Sequence, residues 1–557
     1  MMAVLGANFR AAPWLSAIRQ GRSLSDTPPT WHPCGASDVA HASPPTACSA
    51  AFLATVPQLT LAGKPLDVSF PERPPASALQ NVVDDHFIGI SWELSSFDTL
   101  WGKTTKTIPS AMQNYLHNIA ARMSRPLRIR VGGNGMDGST YVPNLPTFLE
   151  LTDPDAYFND VPVNFGPIMF EVNLASDAEK QFGDRLDAFL LGNEPDLYAG
   201  HGERGAYDIP TYVTEIGSTL NDLGEAGLLE EKLIGGPTIC CGWNLSAVLD
   251  AGLDHSVQRY PQHSCGGPDE KNTNISYYLS HQNVAPYLNW QQEGMAKAQA
   301  NNVPVLLTEY NTVACGGSNI SSTFAASLWA VDVGLKAASV NYSAIYLHTR
   351  WTTGSPYYAA LFLAEITDPS GSVVVDLNLN NSNTSPAASV AAYGIYDHGG
   401  ASRGKLALIN YAESSNSEET ATQVFRIPGG ISESVQIRLL LAPSVLERQN
   451  ISWAGQTVGD NGDLHGIQVT IRKDCADGCE VDVPSPGAAL VLMSGSQFFT
   501  GNSTIAGAGG YLSGAAPASV ASSSLRFAAL LCGLSAVLSL AMSLFTCDVD
   551  VMSQTCV

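Results

Sequence analysis

Between residues 86 and 366, short apolar runs that end in glycine or polar residues alternate with longer helix-compatible stretches. The short runs are rich in β-branched and aromatic residues, which favours strands. Eight such strand–helix units predict an α/β fold, a (β/α)8 TIM barrel. The predicted strands are Phe87–Trp92, Leu127–Val131, Met169–Val172, Ala188–Leu191, Leu233–Thr238, Val257–Tyr260, Val303–Leu307 and Ala344–His348. The predicted helices include Ala111–Arg122, Asp177–Phe182, Thr211–Ala226, Val284–Gln299 and Thr323–Ala338.

A different pattern begins near residue 367, where apolar and polar positions alternate between Ser, Gly, Asn and Asp turns and long helices are absent. Period two without helices predicts a C-terminal antiparallel β-sandwich over residues 367–502. Residues 56–85 precede the barrel and include the strand-like Gln58–Val68, which we expect to pair into the same sandwich. The predicted sandwich strands are Lys405–Asn410, Thr422–Ile427, Val435–Leu441, Gly466–Ile471 and Ala488–Met493.

Both ends of the chain depart from this two-domain pattern. Residues 1–55 are rich in Ala, Ser and Pro and lack the apolar core of a signal peptide, so we interpret them as an atypical signal region with a misassigned start. A cytosolic protein is the alternative. Residues 503–557 hold a small-residue spacer and an apolar run at 527–545, followed by polar residues. This order indicates a glycolipid-anchor signal, with a single transmembrane helix as the alternative, and either predicts membrane anchoring at the cell surface.

The charge and composition of the 557 residues exclude two broad classes of protein. Lys and Arg number 28 against 51 Asp and Glu, a formal net charge of −23. So acidic a chain repels phosphate backbones, which excludes nucleic acid as a partner. At 45% hydrophobic residues the chain is not intrinsically disordered.

Asn-x-Ser/Thr sequons and cysteines bear on the compartment. Eight sequons with few lysines favour the secretory pathway and N-glycosylation. Cys475 and Cys479 bracket a tight loop and could form a disulfide, and one or two more could come from the cysteines at 240, 241, 265 and 315, although buried thiols explain any pair equally well. The sequons lie at Asn244, Asn274, Asn319, Asn341, Asn380, Asn383, Asn450 and Asn502.

Several cofactor and nucleophile motifs can be set aside. Gly133, Gly135 and Gly138 match GxGxxG after a strand, but Pro143 and Pro146 prevent the helix that a dinucleotide site needs. The spacings typical of zinc sites and the GxSxG motif of serine hydrolases do not occur. We therefore expect no metal, no cofactor and no esterase.

Two carboxylates follow predicted barrel strands four and seven. Glu194 lies in Leu191–Asp196 and Glu309 lies in Leu307–Asn311. In such barrels the chemistry is placed at the carboxyl ends of the strands. A pair of carboxylates there is what glycoside hydrolysis requires, one as general acid/base and the other as ionised nucleophile.

Four segments resemble known enzymes. Asn193-Glu194-Pro195 and Thr308-Glu309-Tyr310 are similar to motifs of the retaining (β/α)8 glycoside hydrolase clan. Together with Arg128–Asn134 and Gln258–Pro261, they resemble fungal members of glycoside hydrolase family 79, the β-glucuronidase and heparanase-like enzymes. The resemblance covers residues 60–500.

The resemblance implies roles for six of these residues. Glu194 would be the acid/base and Glu309 the nucleophile, with carboxyl groups about 5 Å apart in a retaining enzyme. Asn193 would bind the sugar 2-hydroxyl. Tyr260, placed at the end of strand six, would hydrogen-bond Glu309, Arg130 would order the surroundings of the nucleophile, and Glu93 would bind a sugar hydroxyl.

The loop after strand eight is expected to determine which sugar is bound. In the family, backbone amides and a tyrosine hydroxyl of this loop hold the glucuronic acid carboxylate, and Gly354, Tyr357 and Tyr358 are the candidates, with Arg350 as a bidentate alternative. The acidic charge favours exo-action on terminal, unsulfated β-linked glucuronic acid in glycans or proteoglycans over an endo-acting heparanase-like enzyme. A clan relative acting on glucosides or xylosides is the main alternative, and a non-catalytic cell-surface carbohydrate-binding protein is the second.

Overall fold

The computed structural model describes residues 2–7, 64–94, 97–103, 107–137, 139, 186–202, 204–227, 234–253, 260–264, 273–313, 317–349, 354–413 and 422–498. The chain divides into one unit at Met1–Gly501 and a second at Asn502–Val557. The second unit, with its predicted apolar tail, lies outside the described residues, as do the predicted elements Met169–Val172 and Asp177–Phe182. None of the described helices is long and apolar enough to cross a membrane.

The described elements are numbered here in chain order. The strands are β1 Met2–Ala7, β2 Leu66–Asp67, β3 Ile88–Glu93, β4 Leu127–Gly132, β5 Leu186–Leu190, β6 Ile234–Gly235, β7 Tyr260–Ser264, β8 Val305–Tyr310, β9 Tyr342–His348, β10 Val373–Asp376, β11 Val390–Asp397, β12 Ser402–Asn410, β13 Thr422–Pro428, β14 Ser434–Leu441, β15 Ser452–Trp453, β16 Thr457–Val458, β17 Leu464–His465, β18 Ile471–Asp474, β19 Gly478–Pro484 and β20 Gly487–Met493. The α-helices are α1 Phe97–Trp101, α2 Ser110–Ala120, α3 Asn134–Asp137, α4 Tyr198–His201, α5 Ile209–Glu225, α6 Leu245–Val248, α7 Ile275–Tyr278, α8 Val284–Asn289, α9 Gln292–Ala300, α10 Phe324–Ser339 and α11 Pro356–Leu363.

The N-terminal domain is built on an eight-stranded mixed sheet. Its order is β6-β5-β1-β4-β3-β9-β8-β7, and seven of the strands run parallel where they pair directly. β1 pairs antiparallel with β4 and with β5, in the place between the predicted second and fourth barrel strands. The sheet as described is therefore mixed and does not confirm the predicted (β/α)8 barrel, because the N-terminal residues form a strand that the sequence did not indicate.

The helices pack where their apolar positions predict. α10 is buried along its whole length except at Ser339, as expected for a helix that is apolar on all sides.

The predicted helix Val284–Gln299 is instead split into α8 and α9. Gln291 stands at the break, fully buried, with its side-chain amide bonded to backbone groups of the loop after β6. A tertiary hydrogen bond thus decides this boundary.

The C-terminal domain contains two main sheets with a shared core and a separate two-stranded sheet of β16 and β17. The larger has the order β10-β11-β12-β20-β14-β15, with β18 also on β14, and the smaller has the order β19-β13-β2. β2 joins β13 in parallel, with Leu66 opposite Phe425. Apolar residues of both sheets form one cluster, the arrangement of a sandwich.

The strand predictions for this domain need correction in two ways: one predicted strand is absent, and some strands were not predicted. The predicted strand Gly466–Ile471 is wrong, because the residues between β17 and β18 are irregular. β10 and β11 were missed. All eight positions of β11 are buried, so it has no polar face to give a period-two pattern.

Two buried ionic networks join the domains. In the first, Glu365 follows α11 and accepts hydrogen bonds from Arg122 at 2.9 Å and Arg438 at 2.6 Å. The indole of Trp453 also donates to this carboxylate, at 3.1 Å. Two guanidinium groups around one buried carboxylate compensate its loss of hydration.

The second network, which we call the His281 network, surrounds His281 before α8. Its Nδ1 lies 2.9 Å from both carboxylate oxygens of Asp332, and its Nε2 lies 3.1 Å from Asp376. Lys336 donates to Asp376 at 2.6 Å, and Tyr411 donates to Asp332 at 2.7 Å. Asp332 and Lys336 lie on α10, whereas Asp376 and Tyr411 belong to the β domain.

Candidate active site

Glu194 lies on a tight turn directly after β5. Its backbone has φ +48° and ψ +52°, the left-handed conformation that costs a residue with a side chain on the order of 1 kcal/mol or more. The turn is held by the Glu194 N–H, which donates to the Thr238 carbonyl at 2.8 Å. The side chain is half-buried. A strained backbone at a strand end is typical of a functional position.

Arg130 connects Glu309 to the turn of Glu194. The guanidinium is fully buried, and its NH1 donates to Glu309, whose side chain is 19% exposed. NH2 of the same group donates to Asn193 Oδ1 at 2.9 Å. β4, β5 and β8 therefore bring their carboxyl-end residues into one hydrogen-bonded cluster. A buried guanidinium stabilises the anionic form of the carboxylate it contacts.

His348 and Ser91 complete the surroundings of Glu309. His348 ends β9, and its Nδ1 lies 3.9 Å from Glu309 Oε2 and 3.0 Å from the hydroxyl of Ser91. Ser91 lies on β3 and accepts a hydrogen bond from Arg130 at 2.9 Å. Sequence reasoning gave these two residues no role. The available signal for His348 was its place at the end of an apolar strand, whereas Ser91 lies within β3.

Asn193 is held from its other side by the loop after β4. Its Nδ2 donates to Asn134 Oδ1 at 2.6 Å. The N–H of Gly135 donates at 2.8 Å to Glu93, which is 6% exposed. A side chain at Gly133, where φ is +88°, would collide with the Glu93 carboxylate. Gly133 and Gly135 of the GxGxxG match thus lie against Glu93, and Glu93 supports the loop that carries Asn134.

Tyr260 begins β7, so its predicted place at a strand end is wrong. In the parallel pairing of β7 with β8, Tyr260 stands opposite Val305, whereas His263 stands opposite Glu309. At about 3.3 Å per residue, the backbone of Tyr260 lies about 10 Å further back along the strand than that of His263. The described strand thus continues to Ser264, four residues beyond the predicted end at Tyr260.

The two predicted tyrosines of the strand-eight loop lie on α11 and use their hydroxyls elsewhere. Tyr357 donates to the Tyr115 carbonyl of α2 at 2.9 Å. The Tyr358 hydroxyl accepts from the Val458 N–H at 2.9 Å, and this side chain is buried. Burial raises the pKa of both groups. Their contacts are those of packing residues. Gly354 precedes the helix, and Arg350 lies outside the described residues.

Disulfides and sequons are distributed over both domains. Disulfides join Cys240 to Cys241 and Cys475 to Cys479. Cys265, Cys315 and Asn502 lie outside the described residues. Within the part that is described, no group of three His, Cys, Asp or Glu side chains could hold a metal ion. The exposed sequon asparagines are Asn244, Asn274, Asn319, Asn380 and Asn450, and the partly buried ones are Asn341 and Asn383.

Comparison with known proteins adds sequence and structural relatives. Residues 392–490 match the glycosyl hydrolase family 79 C-terminal beta domain. A β-glucuronidase of Aspergillus niger is 27% identical over 456 residues, covering 66% of this chain and 82% of the relative. A β-glucuronidase of Neurospora crassa is 24% identical over 394 residues, covering 57% of this chain and 68% of the relative.

The fold is similar to that of a solved enzyme. The crystal structure of a 4-O-α-L-rhamnosyl-β-D-glucuronidase from Fusarium oxysporum superposes with a TM-score of 0.65 at 20% identity, over 77% of this chain and 100% of that one. The two-domain arrangement is therefore shared along the whole length of that protein. With the matched β domain and the two fungal relatives, this shows that the chain is similar to members of glycoside hydrolase family 79.

Proposed function

We propose that this chain is a retaining exo-glycoside hydrolase that releases terminal β-linked glucuronic acid from glycans or proteoglycans. The observation that carries the proposal is the buried guanidinium of Arg130, which joins Glu309 to Asn193 beside Glu194. A charge-paired carboxylate, a fixed amide and a second carboxylate are the groups that a double displacement uses. The sequence relatives carry the name β-glucuronidase.

In the proposed reaction Glu309 attacks the anomeric carbon while Glu194 gives its proton to the glycosidic oxygen, which leaves with the bonding electrons. Glu194 then takes a proton from water, and the water oxygen displaces Glu309 from the sugar, so the anomeric configuration is retained. The guanidinium of Arg130 supports the first step because it keeps Glu309 anionic and oriented towards the substrate.

Asn193 is proposed to bind the 2-hydroxyl of the sugar. Its Oδ1 accepts from Arg130 and its Nδ2 donates to Asn134, so the amide orientation is fixed from both ends. A preorganised amide stabilises the transition state without moving during the reaction. The Glu93 contact with Gly135 supports this arrangement, and Glu93 is proposed to bind a second sugar hydroxyl.

The glucuronic acid carboxylate needs donors near the end of β9. Gly354 lies in the loop between β9 and α11 and remains our candidate for a backbone donor. Because the hydroxyls of Tyr357 and Tyr358 contact backbone groups of α2 and of the β domain, we give the tyrosines a packing role. The net charge of −23 supports an unsulfated, terminal residue as the substrate.

We also propose that the parallel strands form a (β/α)8 barrel on which this site is built. The order of the parallel strands along the sheet follows barrel order, with β9 next to β3 as the eighth strand next to the first. In such a barrel all the carboxyl ends face one side, which explains why Arg130, Glu194, Glu309 and His348 lie together.

An extracellular location is proposed on the sequons. Five of them place an exposed asparagine on the described surface. Attachment of the C-terminal tail to a membrane remains a prediction from the sequence.

The test is a panel of nitrophenyl glycosides with wild type, Glu309→Gln and Glu194→Gln. The proposal expects wild-type cleavage of the β-glucuronide in preference to the glucoside and xyloside, and loss of cleavage in both variants. Preference for a glucoside would contradict the substrate, full activity of both variants would contradict the mechanism, and an inactive folded wild type would support a binding protein.

A further inference from the structure

The loop after β6 carries two adjacent, disulfide-bonded cysteines beside the turn of Glu194. Cys240 is buried, whereas Cys241 and the following Gly242 are exposed. β5 and β6 are parallel neighbours, with Phe189 opposite Ile234, so the turn and the loop leave the sheet at the same edge.

Asp196 fastens this loop to the turn. Its carboxylate accepts three backbone N–H groups in succession, from Cys240 at 3.0 Å, Cys241 at 2.8 Å and Gly242 at 2.6 Å. Two residues earlier, the Glu194 N–H donates to the Thr238 carbonyl. Four hydrogen bonds therefore fix the disulfide relative to the acid/base backbone.

The far end of the loop is fixed as well. Gln291 accepts from the Leu245 N–H at 2.7 Å and donates to the Trp243 carbonyl at 2.9 Å. The Trp243 ring is stacked with Tyr207, with ring centroids 6.3 Å apart and planes at 15°. The loop is therefore held by hydrogen bonds at both ends, and its exposed part includes Cys241 and Gly242.

We propose that the Cys240–Cys241 disulfide forms the surface on which the leaving group of the glycoside rests. This inference builds on the proposed function. A general acid must reach the glycosidic oxygen, so the leaving group lies on the Glu194 side of the bond that breaks. Sulfur is polarisable and weakly hydrogen-bonding, which suits the apolar face of an aromatic or sugar leaving group.

The test compares two glucuronides whose leaving alcohols have similar acidity but different size, methyl and benzyl β-glucuronide. In the C240S/C241S variant we expect kcat/KM for the benzyl substrate to fall about tenfold relative to the methyl substrate, the effect of losing about 50 Å² of apolar contact. The C241S variant also breaks the disulfide but keeps the buried Cys240 as a thiol, and we expect the same selective loss on the benzyl substrate. It decides the question if the double variant does not fold.

The matched control is C475S/C479S, which removes the disulfide of the β domain and should leave the ratio of the two substrates unchanged. Equal losses on both substrates would show that the disulfide acts only by positioning Glu194, and an unchanged ratio would show that it touches no leaving group. Either result overturns the inference while the proposed function stands. A folded wild type that cleaves neither substrate overturns the proposed function itself.

Discussion

The site around Arg130 and the His281 network are built from the same kinds of group but differ in one respect. Each holds a fully buried cation against carboxylates. In the His281 network Asp332 is completely covered and accepts from Tyr393 and Tyr411 in addition to His281. Around Arg130, Glu309 retains 19% exposure. The comparison indicates that a carboxylate left partly open is available for chemistry, whereas a closed network stabilises the packing of the domains.

The pKa values of His281 and Asp376 show how the His281 network maintains its charges. Burial alone would lower the pKa of His281, but the Asp332 and Asp376 carboxylates outweigh it and raise this pKa to about 10. Burial would raise the pKa of Asp376, but the hydrogen bond and charge of His281 and the charge of Lys336 lower it. His281 and Asp376 therefore both stay charged near neutral pH.

The largest effect is expected from Glu309→Gln. Removing a nucleophile should lower kcat on the β-glucuronide by on the order of 10⁴-fold or more, with little change in the thermal unfolding midpoint. Steady-state kinetics and calorimetry measure the two quantities. Glu480→Gln, an exposed carboxylate of the β domain, serves as control. If Glu309→Gln lost enough stability to explain its lost kcat, Glu309 would be a structural residue, like the carboxylates of the His281 network.

The opposite outcome is expected from Asp332→Asn. Breaking a buried ion pair while leaving its partner costs about 3–5 kcal/mol of the free energy of unfolding. The kcat measured well below the unfolding temperature should stay at the wild-type value. Asp250→Asn is the matched control, because its 67% exposed carboxylate pairs with Lys297 at the surface and should cost less than about 1 kcal/mol. Loss of kcat in the folded Asp332 variant would contradict a purely structural network.

The pH dependence of stability follows from the same network. Because the pKa of His281 is raised from 6.5 to about 10, its contribution is complete below pH 6.5 and is lost as the pH rises through about 10. Asp376 has a lowered pKa, so its contribution is present above pH 3.8 and is lost as the pH falls below it. Denaturant unfolding should show a plateau near pH 4–6.5 and a decline on the order of 3 kcal/mol towards pH 10. A His281→Gln variant with the same alkaline decline would refute this assignment.

A smaller effect is expected from Arg130→Lys. The lysine ammonium keeps the positive charge. It lacks the two coplanar N–H groups with which the Arg130 guanidinium contacts Glu309 and Asn193 at the same time. We expect kcat to fall about a hundredfold, or about 2.7 kcal/mol, with a smaller change in KM. Arg426→Lys, a partly exposed arginine of β13, is the control. Wild-type kcat in Arg130→Lys would show that the charge alone suffices.

The two candidate catalytic carboxylates were predicted from the sequence, whereas several residues that surround them were not. Glu194 and Glu309 were predicted as the catalytic pair because each follows an apolar strand, which is a local signal. The roles of His348 and Ser91 depend on contacts between β3 and β9, which are more than 250 positions apart, and no spacing encodes them. Tyr357 and Tyr358 were assigned to the sugar from a motif, yet their hydroxyls bind backbone groups of α2 and the β domain.

The elements of the fold were also predicted only in part. Runs of apolar residues predicted most of the strands of the first sheet, but not β1, because its pairing with β4 and β5 is tertiary. β11 was hidden because a strand buried on both faces does not alternate. Full burial alone does not hide a strand, however, because β3 and β20 are also buried at every position and were predicted.

The most direct test of the account is to trap the covalent intermediate. A 2-deoxy-2-fluoro-β-glucuronyl fluoride reacts with a retaining enzyme but is released slowly, so the protein should gain the mass of one fluoroglucuronyl group. Peptide mass spectrometry is predicted to place it on Glu309. A label on another carboxylate, or glucuronide hydrolysis with inverted product and no label, would contradict the assignment of Glu309 as the nucleophile.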